Sequence, residues 1–200
     1  MSAESLGIGL VVGGYLLGSI PFGLVVSRAL GKPDPRTAGS RNIGFTNVLR
    51  VSGKLAGVLT LVGDATKGWV IGWTAGQALD HEAWILGAAL SPILGHLHSV
   101  FLRFQGGKGV ATALGAIAGV APVVGIILVA IWLGAVLIWR YSSGGAIAAF
   151  GALPFVAWGS GRGPVFVWFA VLVSAVVLWG HRQNMVRLYR GTEPRMGDRS

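Results

Sequence analysis

The stretch HLHSVFLRFQGGKGVAT, residues 96–112, decides how this chain is read. An apolar run ends at Phe101 and Leu102, and Arg103 follows. Gly106, Gly107, Lys108 and Gly109 then form a glycine-rich turn, and a second apolar run begins at Val110. Glycine lacks a Cβ, so backbone N–H groups in such a turn can approach an anion closely, and Lys108 adds a positive charge. A helix predicted to start at about Val110 aims its first amides at the same place, which favours a phosphate there. His96 and His98 stand about one or two helical turns earlier. Two soluble phosphate-binding patterns fail. A Walker loop needs glycine where Leu102 stands and Ser or Thr where Gly109 stands, and Gly107-x-Gly109 meets Thr112 instead of the third glycine of a dinucleotide fingerprint. A plain cytoplasmic loop with a lysine obeying membrane charge rules gives the same local pattern, so the rest of the chain must decide.

With 53% hydrophobic and only 12% charged residues and a mean hydropathy of +0.69, the composition is that of an integral membrane protein. Its 33 glycines suit close helix packing and its eight tryptophans suit interfacial belts. Apolar segments fill most of the length, so residues 1–200 are expected to form a single membrane-embedded domain. The net charge of +9 does not point to nucleic acid. The basic residues stand in short loops between apolar runs, where the positive-inside rule and anionic headgroups explain them, as an anionic substrate would. The absence of cysteine excludes disulfides, thiolate catalysis and Cys-ligated metal. The start, MSAESLG, has no Lys or Arg and carries Glu4, so it lacks the basic beginning of a cleaved signal peptide, and the first apolar run is expected to stay as a span.

Residues 6–30 read as the first span, with Gly18, Ser19 and Pro21 inside it, followed by a polar loop to about Gly53. Residues 55–79 form a second, interrupted by Asp64, Thr66 and Lys67, and residues 83–102 a third after the acidic Asp80-His81-Glu82 connection. Residues 110–139 would make about 45 Å of helix, too long for a bilayer core of about 30 Å unless strongly tilted. Pro122 offers a break there, and Pro154, Gly159, Gly161, Gly163 and Pro164 offer breaks in residues 146–179. Splitting both gives seven spans, and splitting neither gives five. Charge favours seven, some of them short, with the N-terminus outside and the C-terminus cytoplasmic. The inside then collects Lys32, Arg36, Arg41, Arg50, Lys54, Arg103, Lys108, Arg140 and the tail arginines, and Arg162 alone falls outside. The expected fold is therefore an all-α polytopic helical bundle. No internal or inverted repeat is visible.

Four polar segments then converge on one membrane face. In the first loop, Ser40, Asn42, Thr46 and Asn47 offer short hydrogen-bonding side chains between Gly39 and Gly44, with Arg50 and Lys54 after them. That is either an oxyanion-binding loop or an ordinary turn with capping residues. The second segment is the turn at Lys108. The third is Arg140-Tyr141-Ser142-Ser143, where Ser142 or Ser143 touches a substrate or caps a helix. The fourth, HRQNMVRLYRGTE from His181, places His181, Asn184 and Leu188 on one helical face with Arg187 beside it. His181 can act as acid or base near neutral pH and Asn184 can donate to an oxyanion, unless the segment is only a basic interfacial helix. Within the second span, Asp64 and Lys67 share a face at i and i+3, as an ion pair or as an anchor for the cytoplasmic loops.

Together SIPFG (from Ser19), GSRNIGFTN (from Gly39), DATKG (from Asp64), GHLHSVFLRFQGGKGVAT (from Gly95) and HRQNMVRLYRGTE (from His181) resemble the bacterial acyl-phosphate:glycerol-3-phosphate acyltransferases, the PlsY family, in order and over nearly the whole chain. The resemblance implies transfer of a fatty acyl group from acyl phosphate to the 1-position of sn-glycerol 3-phosphate, giving lysophosphatidic acid and phosphate, the first committed step of phospholipid synthesis. It implies a site on the cytoplasmic face of the bacterial inner membrane, no metal or cofactor, and a donor supplied by the soluble acyl-phosphate synthase PlsX. Ser40, Arg50, Lys108 and the backbone of Gly106, Gly107 and Gly109 match the family's phosphate-contacting positions. His181 and Asn184 match its third motif, and Ser143 its post-span serine. Arg41 replaces a usual glycine, Phe45 a usual alanine, and Gln183 a common acidic residue.

The residue chemistry agrees. Two phosphorylated substrates need a basic floor, and an acyl chain needs an apolar slot between helices. Acyl phosphate is a mixed anhydride with a good leaving group, so direct attack by the acceptor hydroxyl is expected, with the proton passing to His181 or to a substrate phosphate. The residues five after His81, His96, His98 and His181 are Leu86, Phe101, Arg103 and Val186, so the His-x4-Asp pair of acyl-CoA enzymes is absent. A transporter of organic anions would place its basic residues at mid-membrane, where only Lys67 stands. A metal-dependent lipid phosphatase or phosphotransferase would need an acidic cluster that the sequence lacks.

Overall fold

Pro21, Pro122 and Pro164 stand at helix starts, because proline has no N–H for the helical ladder and pre-sets a helical φ at the first turn. Pro154, expected as a break, lies inside a helix instead. In the computed structural model, which describes residues 2–197, Pro21 divides the expected first span into α1 (Ala3–Ser19) and α2 (Phe22–Ala29), bent by 45°. The span expected over residues 6–30 is thus a bent pair of helices. A polar loop leads to α3 (Phe45–Ser52) and α4 (Lys54–Ala78), then α5 (Glu82–Leu97), which ends in a short 3-10 turn (Val100–Leu102). α6 (Val110–Val120) and α7 (Pro122–Trp139) part at Ala121, with Pro122 as the first residue of α7. α8 (Ser142–Gly159) and α9 (Pro164–Gly180) part at the expected glycines, and α10 (Arg182–Tyr189) leaves α9 at 60°. No strand occurs among the described residues.

By length and composition, α7 and the segment Glu82–Leu102 can each cross a membrane alone, and the bent pairs α1–α2 and α9–α10 can do so jointly. The outer surface fits that medium: Leu137 is 80% exposed, Ile138 77% and Trp158 75%. Inside, Phe150, Phe166, Ile93, Ile117 and Leu128 form a core shared by α5 to α9. Lipid supplies no hydrophobic force between helices, so small residues and close backbone approach hold them together. α4 and α6 run parallel in such contact. A Cβ on Gly68 would fall on the Thr112 carbonyl, one on Gly115 on the Ala65 carbonyl, and one on Gly72 on Ala116. α1 packs on α5 in the same way through Gly14, Gly18 and Gly95.

The break at Pro21 leaves carbonyls that need partners. Ser99 Oγ donates to the Ser19 carbonyl, and Lys67 Nζ donates to that of Ile20 at 2.9 Å. Lys67 also pairs with Asp64 at 2.8 Å. The expected ion pair is present and ties α4 to the α1–α2 junction.

Candidate active site

The turn at Lys108 is built first by α5. The last carbonyls of a helix lack intrahelical partners. Gly106 N–H donates to the Leu97 carbonyl (2.9 Å) and Gly107 N–H to that of His96 (3.0 Å). A side chain at either glycine would strike His96 or Leu97. This corrects the expectation of an amide cradle at Gly106 and Gly107: both N–H groups cap α5, and neither residue lines the cavity described below. Gly109, at φ +78°, turns the chain into α6, which starts at Val110 as predicted. Its first amides and Lys108 remain for a ligand.

The first loop is organised by Asn47, which is 3% exposed. Its Nδ2 donates to the carbonyls of Pro35 (2.7 Å) and Asn42 (2.8 Å), and its Oδ1 accepts from Ser40 N–H (2.8 Å). Asn42 Oδ1 accepts from Gly44 N–H at 2.8 Å. These two side chains therefore shape the loop. Thr46 Oγ1 lies 2.8 Å from Ser142 Oγ and fastens the loop to α8. Arg50 lines the cavity and has no hydrogen-bond or ion-pair partner among the described residues. Lys54 is exposed at the start of α4 and does not line the cavity.

The tail completes the site. α10 ends at Gly191, φ +68°, where Thr192 N–H returns to the Arg187 carbonyl and Gly191 N–H to that of Leu188. That helix stop turns Glu193 inward. Glu193 Oε1 accepts from Ser143 Oγ and from Asn184 Nδ2, each at 2.6 Å, and Oε2 accepts from Arg187 Nε at 2.7 Å. Asn184 Oδ1 in turn accepts from Lys108 Nζ at 2.6 Å. The site residues from three distant segments thus form one network, with Glu193 at its hub. Sequence reasoning gave Glu193 no role; the signal was an acidic residue two positions after a helix-stopping glycine in a basic tail.

Burial acts on each charge here. It pushes the Lys108 ammonium down to about 8, with Glu193 opposing and Arg187 adding to the fall. It also works to raise the Glu193 carboxyl, but hydrogen bonds from Ser143, Asn184 and Arg187, with the charge of Arg187, hold that group below its ordinary range. His181, 3% exposed at the α9–α10 bend, is pushed by burial to about 4, with the Val177 contact opposing and Lys108 adding to the fall. Its Nδ1 lies 2.8 Å from the Val177 carbonyl, which can only accept. Nδ1 therefore carries the proton, and Nε2 presents a lone pair.

These groups stand around a cavity of about 1010 Å³. Ser40, Asn42, Thr46, Asn47, Arg50, Lys108, Gly109, Ser143, His181 and Asn184 all line it, with Arg187 and Glu193. From the polar end it continues as an apolar slot between α4, α6 and α7, walled by Leu61, Trp69, Leu114, Ala118, Val129 and Leu133. Leu133 is 48% exposed and Trp69 44%, so the slot opens sideways onto the lipid-facing surface. The arrangement can hold an oxyanion at one end and an alkyl chain at the other.

Comparison with known proteins agrees with this geometry. The family model for glycerol-3-phosphate acyltransferase matches residues 8–191. The glycerol-3-phosphate acyltransferase of Bordetella pertussis is 46% identical over 199 aligned positions, covering 94% of this chain and 91% of that protein. That of Burkholderia lata is 45% identical over 188, covering 92% and 88%. The crystal structure of PlsY, an integral membrane glycerol 3-phosphate acyltransferase, in its glycerol 3-phosphate form superposes with a TM-score of 0.91 at 38% identity, covering 96% of both chains. Its lysophosphatidic acid form gives 0.89 at 37% identity, covering 96% and 95%. A cluster of cations and donors at the mouth of a lipid-open slot, on a fold shared nearly end to end, makes this chain an integral membrane acyltransferase belonging to the glycerol-3-phosphate acyltransferase family.

Proposed function

We propose that the chain transfers a fatty acyl group from acyl phosphate to the 1-position of sn-glycerol 3-phosphate, releasing lysophosphatidic acid and inorganic phosphate. The observation that carries this reading is the junction of the Lys108–Asn184–Glu193 network with the apolar slot in one cavity. Each substrate carries a phosphate, for which Lys108, Arg50, Ser40 and the first amides of α6 are the contacts. The acyl chain lies along α4, α6 and α7. The acceptor's primary hydroxyl attacks the acyl carbonyl, the new ester C–O bond forms, and the C–O bond to phosphate breaks. Asn184 Nδ2 has a second N–H besides the one given to Glu193, and this one stabilises the carbonyl oxyanion. Ser143 and Glu193 keep Asn184 and Arg187 in register. His181 Nε2 accepts the hydroxyl hydrogen bond and orients it. The proton ends on the oxygen of the leaving phosphate freed from the acyl carbon, a stronger base than His181, which burial pushes to about 4.

In the membrane, seven passes (the α1–α2 pair, then α4, α5, α6, α7, α8 and α9) with the N-terminus outside are supported by charge. Among the described residues, Arg162 is the one Lys or Arg at the end of the bundle opposite the cavity. The cavity then faces the cytoplasm across the bacterial inner membrane, where a soluble acyl-phosphate synthase (PlsX) delivers the donor. The test is a donor comparison in detergent with labelled glycerol 3-phosphate. Acyl phosphate should give 1-acyl product with one phosphate released per ester formed, and acyl-CoA should give none. Product from acyl-CoA at an equal rate, or a 2-acyl product, would overturn the reading.

A further inference from the structure

Three buried ionisable side chains take no part in the chemistry above: Asp64 (2% exposed) and Lys67 (2%) on α4, and His96 (5%) at the end of α5. Lys67 Nζ lies 2.8 Å from Asp64 Oδ1, 2.9 Å from His96 Nδ1 and 2.9 Å from the Ile20 carbonyl. An ammonium has N–H donors and no acceptor; two of them meet His96 Nδ1 and the Ile20 carbonyl, while Asp64 Oδ1 is held by charge without an aligned hydrogen bond. His96 Nδ1 is therefore an acceptor, and the neutral imidazole carries its proton on Nε2. Asp64 Oδ1 stands 3.4 Å from the same Nδ1, too far for a good hydrogen bond, which agrees with that assignment. On its other side the ring abuts the residue before Lys108: a Cβ at Gly107 would run into His96 Nε2. Nε2 has no protein hydrogen-bond partner among the described residues, and both His96 and Asp64 stand in the cavity wall. Ionisable groups inside a membrane bundle are costly and mark places of function, and here the ring has one nitrogen left for a ligand in the cavity.

We propose that His96 is a phosphate-contacting residue whose Nε2–H, held in that tautomer by Lys67 and Asp64, donates to a phosphate oxygen in the cavity beside Lys108. This rests on the acyl-transfer reading of the cavity and adds a residue to it. Lys67 and Asp64 are positioning residues that act through the ring. The shared ligand chemistry is a phosphate monoanion or dianion, and either substrate can supply it.

The experiment compares His96→Leu with His96→Gln, whose side-chain amide N–H can stand in for Nε2–H, in purified protein with melting temperatures recorded. Folded His96→Leu should raise KM about tenfold for one substrate, with kcat changing less, and His96→Gln should recover most of the loss. The substrate affected names the phosphate bound, that of glycerol 3-phosphate or that of acyl phosphate. Unchanged KM values for both in folded His96→Leu would overturn the proposal. ¹⁵N-histidine NMR of the unsubstituted protein tests it without any question of folding. The His96 resonance, identified by its loss in His96→Gln, should show the Nε2–H form and shift on adding glycerol 3-phosphate or inorganic phosphate. The Nδ1–H form, or no shift with either, would overturn it. A shift in a protein that transfers no acyl group would keep His96 as a phosphate contact and remove the acyl-transfer reading instead.

Discussion

As the proposed phosphate contact, Lys108 acts only while charged, and burial pushes its ammonium down to about 8. Below that value the charge is present, and above it the charge is lost. We expect kcat/KM for glycerol 3-phosphate to be level up to about pH 8 and then to fall about tenfold per unit, as a single ionisation of the free enzyme requires. A profile level to pH 10 would contradict the burial of this lysine. Glu193→Gln keeps one acceptor for Ser143 or Asn184 but removes the charge facing Arg187. It should lower kcat/KM about 10- to 100-fold with the fold intact, the range for losing hydrogen bonds to a charged group. Arg41 sits at φ +56°, a left-handed conformation that glycine adopts freely. Arg41→Gly should leave activity unchanged and stabilise the protein by about 0.5–1 kcal/mol, read as melting in detergent. At this scale Lys108, His181 and Asn184 were legible because polar residues stand out against apolar runs. Gly106 and Gly107 were misassigned because a sequence shows where a glycine is and not which carbonyl its amide meets. Asn42 and Asn47 were legible as loop residues, but their hydrogen-bond partners depend on the folded backbone.

The helices were legible where composition changes sharply. Pro122 and the glycines near 161 mark real breaks, and α6 begins where the Lys108 turn ends. The bend at Pro21 was missed because apolar residues continue on both sides of it, and only the carbonyls taken by Ser99 and Lys67 reveal how that bend is stabilised. Helix pairing was not legible at all, since most glycines in the spans look alike in sequence. The structure separates them. Gly68 meets the backbone of α6, whereas a Cβ on Gly76 of the same helix would meet nothing within 4 Å. Gly68→Val should therefore force α4 from α6 and sharply lower the melting temperature and the yield of monodisperse protein. Gly76→Ala should match or exceed the unsubstituted protein, as the better helix former. Equal behaviour of the two variants would contradict the α4–α6 contact.

Across the whole molecule, charge and chemistry segregate together. Basic loops, the Lys108–Glu193 network and the mouth of the cavity share one end of the bundle, while the slot runs from there toward lipid. The chain has no cysteine, so single cysteines report sidedness cleanly. An impermeant maleimide should label Gly161→Cys from outside intact cells and Lys32→Cys only after permeabilisation, and the reverse pattern would overturn the proposed orientation. The most direct test of the cavity as the seat of acyl transfer is kcat/KM of purified, folded Lys108→Met with acyl phosphate and glycerol 3-phosphate. A fall of about 100-fold or more is predicted, comparable to losing one preorganised donor in an active site. A rate within about threefold of the unsubstituted enzyme, with the same melting temperature, would mean that the reaction takes place elsewhere.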